Sequence, residues 1–250
     1  MATIRLPTRP EVARRQRQMR SPFSHSTPAR LSRRSVLATG AGFLAVGCIE
    51  SPVIGGAYDV AKAELFGHPD LPIARSTIAN LPYASMTARI GDGPQALLIL
   101  GRVQGDEQHW ISGADRSVLA LRGGRVVRTF GFPENLRETR SPYDDPVNRL
   151  LHLVDQPVEH LRFVDLEQAG RSTLPIDSRF ERIGDRKISI LEIEFETVLV
   201  RERNAARTVP WSFENLYWVD PGDGYVWQSR QYIARSFPPV EFQILKPPSA

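Results

Sequence analysis

Short alternating segments, cut at regular intervals by glycine- and proline-rich turns, constrain this chain more than any other feature of its sequence. Gly91-Asp92-Gly93-Pro94 separates residues 84–90 from 95–103, and Pro221-Gly222-Asp223-Gly224 separates 216–219 from 225–233. Gly113-Ala114-Asp115 divides 109–112 from 117–121, and Gly123-Gly124 leads into 125–130. Further strand-like segments lie at 158–166, at 188–200 (the longest) and at 240–245. Residues 133–157 read mostly as loop, with a helix at 146–153. Helical spacing near the start of this region is confined to 57–66, stopped by Gly67, and to 76–80, ended by Pro82. The expected fold class is mainly β: an antiparallel β-sandwich or open barrel with one or two short N-terminal helices. No linker interrupts the strands, so 57–250 reads as a single β-rich domain.

Ahead of that domain the charge is lopsided. Residues 1–47 carry nine Arg against one acid, Glu11, while 48–250 carry a formal charge of −4. The basic character of the whole chain therefore belongs to a leader, and nucleic acid is not expected as a partner. Residues 1–30, rich in Arg, Pro and Ser, lack apolar periodicity and are expected to be disordered. A 12-residue apolar run, 36–47, follows Arg33 and Arg34. Spanning a bilayer core takes roughly 20 such residues, so the run fits the h-region of an export signal. Ser32-Arg33-Arg34 before Val36-Leu37 resembles the twin-arginine export motif, with the general secretion route as the alternative. Ala45-Val46-Gly47-Cys48 resembles a bacterial lipobox, and Cys48 is the only cysteine of the chain. An acylated Cys48, with a tether at 49–56, would hold the domain at a membrane. Ile49 in place of Asp favours the periplasmic face of the outer membrane.

Recognisable catalytic signatures are missing. The chain has no H-E-x-x-H, G-x-S-x-G, phosphate loop or EF-hand pattern. A lone cysteine excludes an internal disulfide, a four-thiolate zinc site and a CxxC pair. His68, His109, His152 and His160 show no metal-ligand spacing, and no cofactor is implied. Glu192, Glu194 and Glu196 alternate with apolar residues, which places three carboxylates on one strand face. Residues two apart on a strand lie about 7 Å apart, within the roughly 5–9.5 Å separation of glycosidase carboxylates. Alternation alone, however, produces a solvated outer face of this kind. Asp144-Asp145 reads as a turn or a helix N-cap before Pro146.

The C-terminal hairpin is chemically richer. Tyr217, Trp218, Tyr225, Trp227 and Tyr232 lie within sixteen residues. Strict alternation puts Tyr225, Trp227, Ser229 and Gln231 on one face, and Gln228, Arg230 and Tyr232 on the other. Rings beside amides and a guanidinium can stack on sugars and hydrogen-bond their hydroxyls, or contact a partner protein. Tyr225, Trp227, Gln228, Ser229, Arg230 and Gln231 are accordingly the candidate binding face. The competing reading makes the rings core.

An ordered set of segments resembles the YjbF/GfcB family of bacterial lipoproteins. They are Phe66-Gly67, Leu81-Pro82-Tyr83-Ala84-Ser85, the run from Gln95 to Arg102, Trp110, and the run from Gly124 to Gly131. Asp145-Pro146, Glu214-Asn215-Leu216-Tyr217-Trp218-Val219-Asp220, the run from Val226 to Gln231, and Leu245-Lys246-Pro247-Pro248 complete the set. The resemblance covers most of 62–248 and implies a membrane-anchored, β-rich periplasmic lipoprotein associated with exopolysaccharide or capsule production. It supplies no catalytic residues; only the lipidated Cys48 carries over. The leading expectation is a non-enzymatic protein that assists polysaccharide assembly or export by binding glycan or the export machinery. The alternatives are a periplasmic glycan hydrolase using Glu192, Glu194 or Glu196 with Asp145, and a carrier of a lipid or small ligand. For the leader, Arg33→Lys with Arg34→Lys keeps the positive charge but removes the guanidinium pair. Twin-arginine export predicts that the double variant stays unprocessed in a pulse-chase experiment. Normal processing would assign the chain to general secretion.

Overall fold

A computed structural model describes residues 71–113, 116–167 and 173–248. Helix α1 (Arg75–Asn80) precedes β1 (Ser85–Ile90), β2 (Ala96–Gln104), β3 (Glu107–Ser112), β4 (Val118–Arg122), β5 (Arg125–Phe130) and β6 (Leu136–Arg140). Then come β7 (Val158–Leu166), β8 (Leu174–Ile190), β9 (Ile193–Ala206), β10 (Ser212–Val219), β11 (Val226–Gln231) and β12 (Val240–Lys246). The turn signals expected to make hairpins do so, and α1 stands where the second short helix was expected. The other helical segment, 57–66, lies outside the described residues, as do Cys48, Arg33 and Arg34.

All twelve strands form one antiparallel sheet in the order β5-β4-β3-β2-β1-β12-β11-β10-β9-β8-β7-β6. Every neighbour follows in sequence except β1 with β12, where Ala88 faces Phe242 and Ile90 faces Val240. The sheet's two edges, β5 and β6, are themselves consecutive. The sheet therefore curls until its edges meet, and of the two expected architectures it takes the open barrel. Side chains hold that seam: the Leu136 amide donates to Thr129 Oγ1 (2.9 Å), and the Phe132 amide donates to Asn135 Oδ1 (3.1 Å).

Across the interior, Gln231 on β11 supplies β5 with the partner its open edge lacks. Its Oε1 accepts from the Val126 amide (3.0 Å), and its Nε2 donates to the Gly124 carbonyl (2.8 Å). The approach is close enough that a Cβ on Gly124 (φ +106°) would stand 2.5 Å from Val226 Cβ. Glycine alone fits there. Period-two alternation then sorts each strand into an inner and an outer face. Met86, Leu98, Trp110, Leu119, Phe242 and Ile244 fill one half of the interior. Arg162, Glu202, Asn204, Asn215 and Tyr217 point into the other.

Three sequence expectations fail locally. The segment 188–200 is not one strand: Leu191 and Glu192 (φ 49° and 67°) form a two-residue turn between β8 and β9, with Ile190 facing Ile193. Such left-handed turns favour Asn-Gly or Asp-Gly, so Leu-Glu carries no turn signal. Strand β6 lies inside the segment read as loop, because Leu136–Arg140 is short and mostly polar. Residues 146–153 form turns and a single 3-10 turn at Leu151–Leu153 instead of an α-helix.

The long β8–β9 hairpin also slips register between Arg182 and Gly184 (φ +140°). Its tip covers the outside of the barrel: Gln243 Nε2 donates to the Ser189 carbonyl (3.2 Å), and Phe195 lies 4.7 Å from Trp227. Among the described residues, no helix is long and apolar enough to cross a membrane.

Gln231→Ala would strand the Val126 amide and the Gly124 carbonyl at a cost of roughly 1–3 kcal/mol for each buried group left unpaired. Urea denaturation is expected to show that loss, and hydrogen exchange to show faster exchange at Val126. Unchanged exchange there would mean that β5 is held by something else.

Candidate functional site

The β10–β11 turn begins with Asp220, whose carboxylate accepts from the Gly222 amide (2.8 Å). Val219 faces Val226, but Trp218 already faces Gln228, so Trp227 is an extra residue in a bulge. The bulge breaks the strict alternation that would put Trp227 on one face with Ser229 and Gln231. Ser229 and Gln231, 1% and 2% exposed, turn into the barrel. Trp227, Gln228 and Arg230 lie outside. Tyr225 and Trp227 are half-buried and pack together (centroids 4.8 Å apart, 74° between planes). Arg149 stacks 4.6 Å above Tyr225, whose phenol is pushed up to about 12 by burial. Trp227 Nε1 donates to Asp220 Oδ2 at 3.4 Å.

What remains exposed on this part of the barrel comes from four strands. Arg89, Glu241, Arg230 and Leu216 form one row across β1, β12, β11 and β10. Half-buried Gln243, Gln228 and Trp218 form the next, which ends on β1 at the buried Thr87. Gln243 Nε2 donates to Gln228 Oε1 (3.1 Å), and Arg230 pairs with Glu241 (3.2 Å). A shallow cavity of about 230 Å³ is lined by Thr87, Arg89, Gln95, Gln228, Glu241 and Gln243. A second, of about 380 Å³, is lined by Trp211, Glu214, Arg230, Tyr232 and Arg235 among others. Amide, guanidinium and carboxylate groups in rows suit a ligand rich in hydroxyls and carboxylates. The contributions of β1 and β12 escaped sequence reasoning because the β1–β12 pairing joins the two ends of the sheet. No local pattern announces it.

Inside, Arg125 on β5 is the centre of a buried ionic network. Its guanidinium pairs with Asp145 through Nε and through Nη2 (2.9 Å), and reaches Glu202 Oε1 (3.0 Å) and Oε2 (3.2 Å). Tyr217 accepts from Arg125 Nη1 (3.2 Å) and donates to Glu202 Oε2 (2.9 Å), while Asn215 donates to the same oxygen (2.8 Å). Arg162 donates to Asn204 Oδ1 (2.9 Å), and its Nε lies 3.5 Å from Glu202 Oε1. Two guanidinium groups and two carboxylates balance. Asp145 also accepts from the Val147 amide (3.0 Å), which makes it the turn residue the sequence indicated.

Burial alone would raise both carboxyls. The Arg125 charge and hydrogen bonds, joined by the Val147 amide at Asp145 and by Arg162 and Asn215 at Glu202, together outweigh it, and both lie below their ordinary values. A general acid needs the opposite shift. The surface acids offer no alternative. Glu192 sits in the turn, while Glu194 (3.7 Å) and Glu196 (2.7 Å) pair with Lys187 on the exposed hairpin. Eight residues of β9 separate Glu194 from Glu202, roughly 27 Å of strand. The carboxylates of the hydrolase reading therefore do not converge. Among the described residues, no group of three His, Cys, Asp or Glu is placed to hold a metal ion.

The open antiparallel barrel defines a fold class with a solved relative. The structure of the hypothetical lipoprotein YmcC from Escherichia coli (K12) superposes with a TM-score of 0.65 at 26% identity, covering 77% of this chain and 96% of that one. Residues 58–245 match the family described as group 4 capsule polysaccharide lipoprotein GfcB, YjbF. This chain belongs to that family. It is 30% identical to the lipoprotein GfcB of E. coli (strain K12) over 215 residues, 85% of this chain and 97% of GfcB. It is 27% identical to the lipoprotein YjbF of the same strain over 184 residues, 73% of this chain and 84% of YjbF.

Removing one partner of a buried ion pair costs about 3–5 kcal/mol, so Glu202→Gln should lower the urea midpoint sharply. Glu194→Gln on the exposed hairpin should leave it unchanged. Equal effects would contradict this assignment of burial. Because the native values of Asp145 and Glu202 are depressed, their contribution is full above the ordinary values of 3.8 and 4.5 and is lost as pH falls below them. His160, lowered by burial, adds a loss that begins as pH falls below 6.5. A stability–pH curve should therefore decline toward acid in the native protein. In the Glu202→Gln protein the decline below 4.5 should be shallower.

Proposed function

We propose that this chain is a lipoprotein anchored through Cys48 at the periplasmic face of the outer membrane, where it assists assembly or export of a capsule-type polysaccharide without chemical turnover. Its glycan-contacting surface is the outer face of β1, β12, β11 and β10. The observation that carries this reading is the row Arg89-Glu241-Arg230 with the neighbouring pair Gln243-Gln228, which presents donors and acceptors at strand spacing along a shallow groove. A polysaccharide offers hydroxyls at a regular repeat, and an acidic one adds carboxylates for the guanidinium groups. Tyr225 and Trp227 brace that surface from beside it, and Ser229 and Gln231 fix β11 from beneath. Family membership supports the pathway, and the ionised state of Asp145 and Glu202 supports binding over hydrolysis. Arg33 and Arg34 direct export through the twin-arginine route.

Arg230 and Glu241 form an exposed pair worth about 0–1 kcal/mol, so the surface can be altered without unfolding the barrel. Gln228→Ala with Arg230→Ala is expected to leave the melting temperature within a few degrees and lower surface polysaccharide severalfold. Trp227→Ala, which removes a packed ring, is expected to cost stability instead. Cys48→Ser should release the protein from membranes. Normal polysaccharide output from the folded, anchored double variant would contradict the binding surface.

A further inference from the structure

At the end of the barrel where β1 turns into β2, a cavity of about 570 Å³ opens between the strands. Its wall is mostly apolar, with Ala88, Ala96, Leu98, Leu119 and Val240 beside the Phe132 ring, and Arg89, Gln95, Ser112 and Ser117 add polar side chains. The space has a local cause. Ala88 of β1 faces Ala96 of β2, whereas the next interior pair, Met86 and Leu98, fills its level with two long side chains. Two methyl groups where two long chains would fit leave a pocket instead of core. Its volume falls within the roughly 300–1,000 Å³ of small-molecule sites. One polar group is left over. Ser112, the last residue of β3, lines the cavity, is 2% exposed, and its Oγ has no hydrogen-bond partner among the described residues. Buried hydroxyls are nearly always paired, and of the unpaired ones among the described residues, Ser85, Ser112 and Thr139, Ser112 lines this cavity, where a ligand atom can reach it.

We propose that this cavity binds a single acyl chain, with a polar group of the ligand hydrogen-bonded to Ser112 Oγ near the mouth. A mostly apolar wall favours methylenes, and one unpaired hydroxyl matches a carboxyl or ester at the end of such a chain. Leu71 lines the same mouth, its amide donating to Gln95 Oε1 (3.0 Å). Cys48 stands 23 residues before it, at most roughly 76–83 Å of extended chain. An anchored protein would thus hold this mouth within reach of a bilayer, where acyl chains are abundant. The cavity adjoins the outer face, sharing Arg89 and Gln95 with it, but Ala88, Ala96 and Ser112 belong to the cavity and Gln228 and Arg230 to the face, so variants at these positions test the two independently.

The test uses the full chain with Cys48→Ser, prepared without detergent, and displacement of dansyl-labelled undecanoic acid. Saturated fatty acids of increasing length should compete with an affinity that rises about fourfold per methylene until the cavity is full. Monoacyl phospholipids of matched length form the second arm. Equal competition points to membrane lipid as the source, and competition by fatty acids alone points to the free acid. Ala96→Phe, which fills the cavity, should weaken binding at least tenfold, and Ala88→Leu serves where that variant does not fold. Ser112→Ala should weaken it about two- to tenfold. Affinity independent of chain length, or undiminished in a folded cavity-filling variant, would overturn the proposal.

Discussion

The Arg125 guanidinium holds the barrel together at its weakest place. It lies 2% exposed at the start of an edge strand, and its two carboxylate partners come from the β6–β7 connection and from β9. Burying that charge alone would be costly, and the neutral arrangement with Asp145, Glu202 and Arg162 offsets the penalty only because every partner is in place. The geometry binds an otherwise free strand edge to the opposite wall. An unpaired edge of this kind invites pairing with another chain. Gln231 performs the complementary task, giving the β5 backbone one donor and one acceptor from a side chain.

This division of labour decides where function can reside. The polar half of the interior is consumed by structure, with its acids ionised and paired. The apolar half is packed except at the mouth, where Ala88 faces Ala96. The proposed recognition of a polar polymer therefore falls to the outer surface, where β12 and β1 add their side chains to those of β11. The tip of the β8–β9 hairpin bounds that surface on one side through Ser189 and Phe195. A capsule-associated lipoprotein built this way presents a fixed face on a rigid sheet.

Much of this architecture was legible in the residues. Turns built on Gly and Pro, such as Gly91-Asp92-Gly93-Pro94, announced their hairpins and hence an antiparallel fold, while the choice of open barrel over sandwich came only with the closing of the sheet. The family was legible from the ordered segments. The Leu191-Glu192 turn was not, since its residues adopt left-handed backbone without the usual Gly or Asn, and β8 was missed with it. The candidate face was only partly legible. One bulged residue, Trp227, shifts the alternation and sends Ser229 and Gln231 inward. The network around Arg125 was invisible for a different reason: its members lie 20 to 92 residues from that arginine and meet only when the sheet closes.

The central claim is that recognition occurs on the outside of β1, β12, β11 and β10. Its most direct test is hydrogen–deuterium exchange of the folded protein with and without purified capsule oligosaccharide. The account predicts slowed exchange in peptides covering 226–231 and 240–246, with β3 and β4 unaffected. Protection confined to other strands, or none at saturating oligosaccharide, would contradict it.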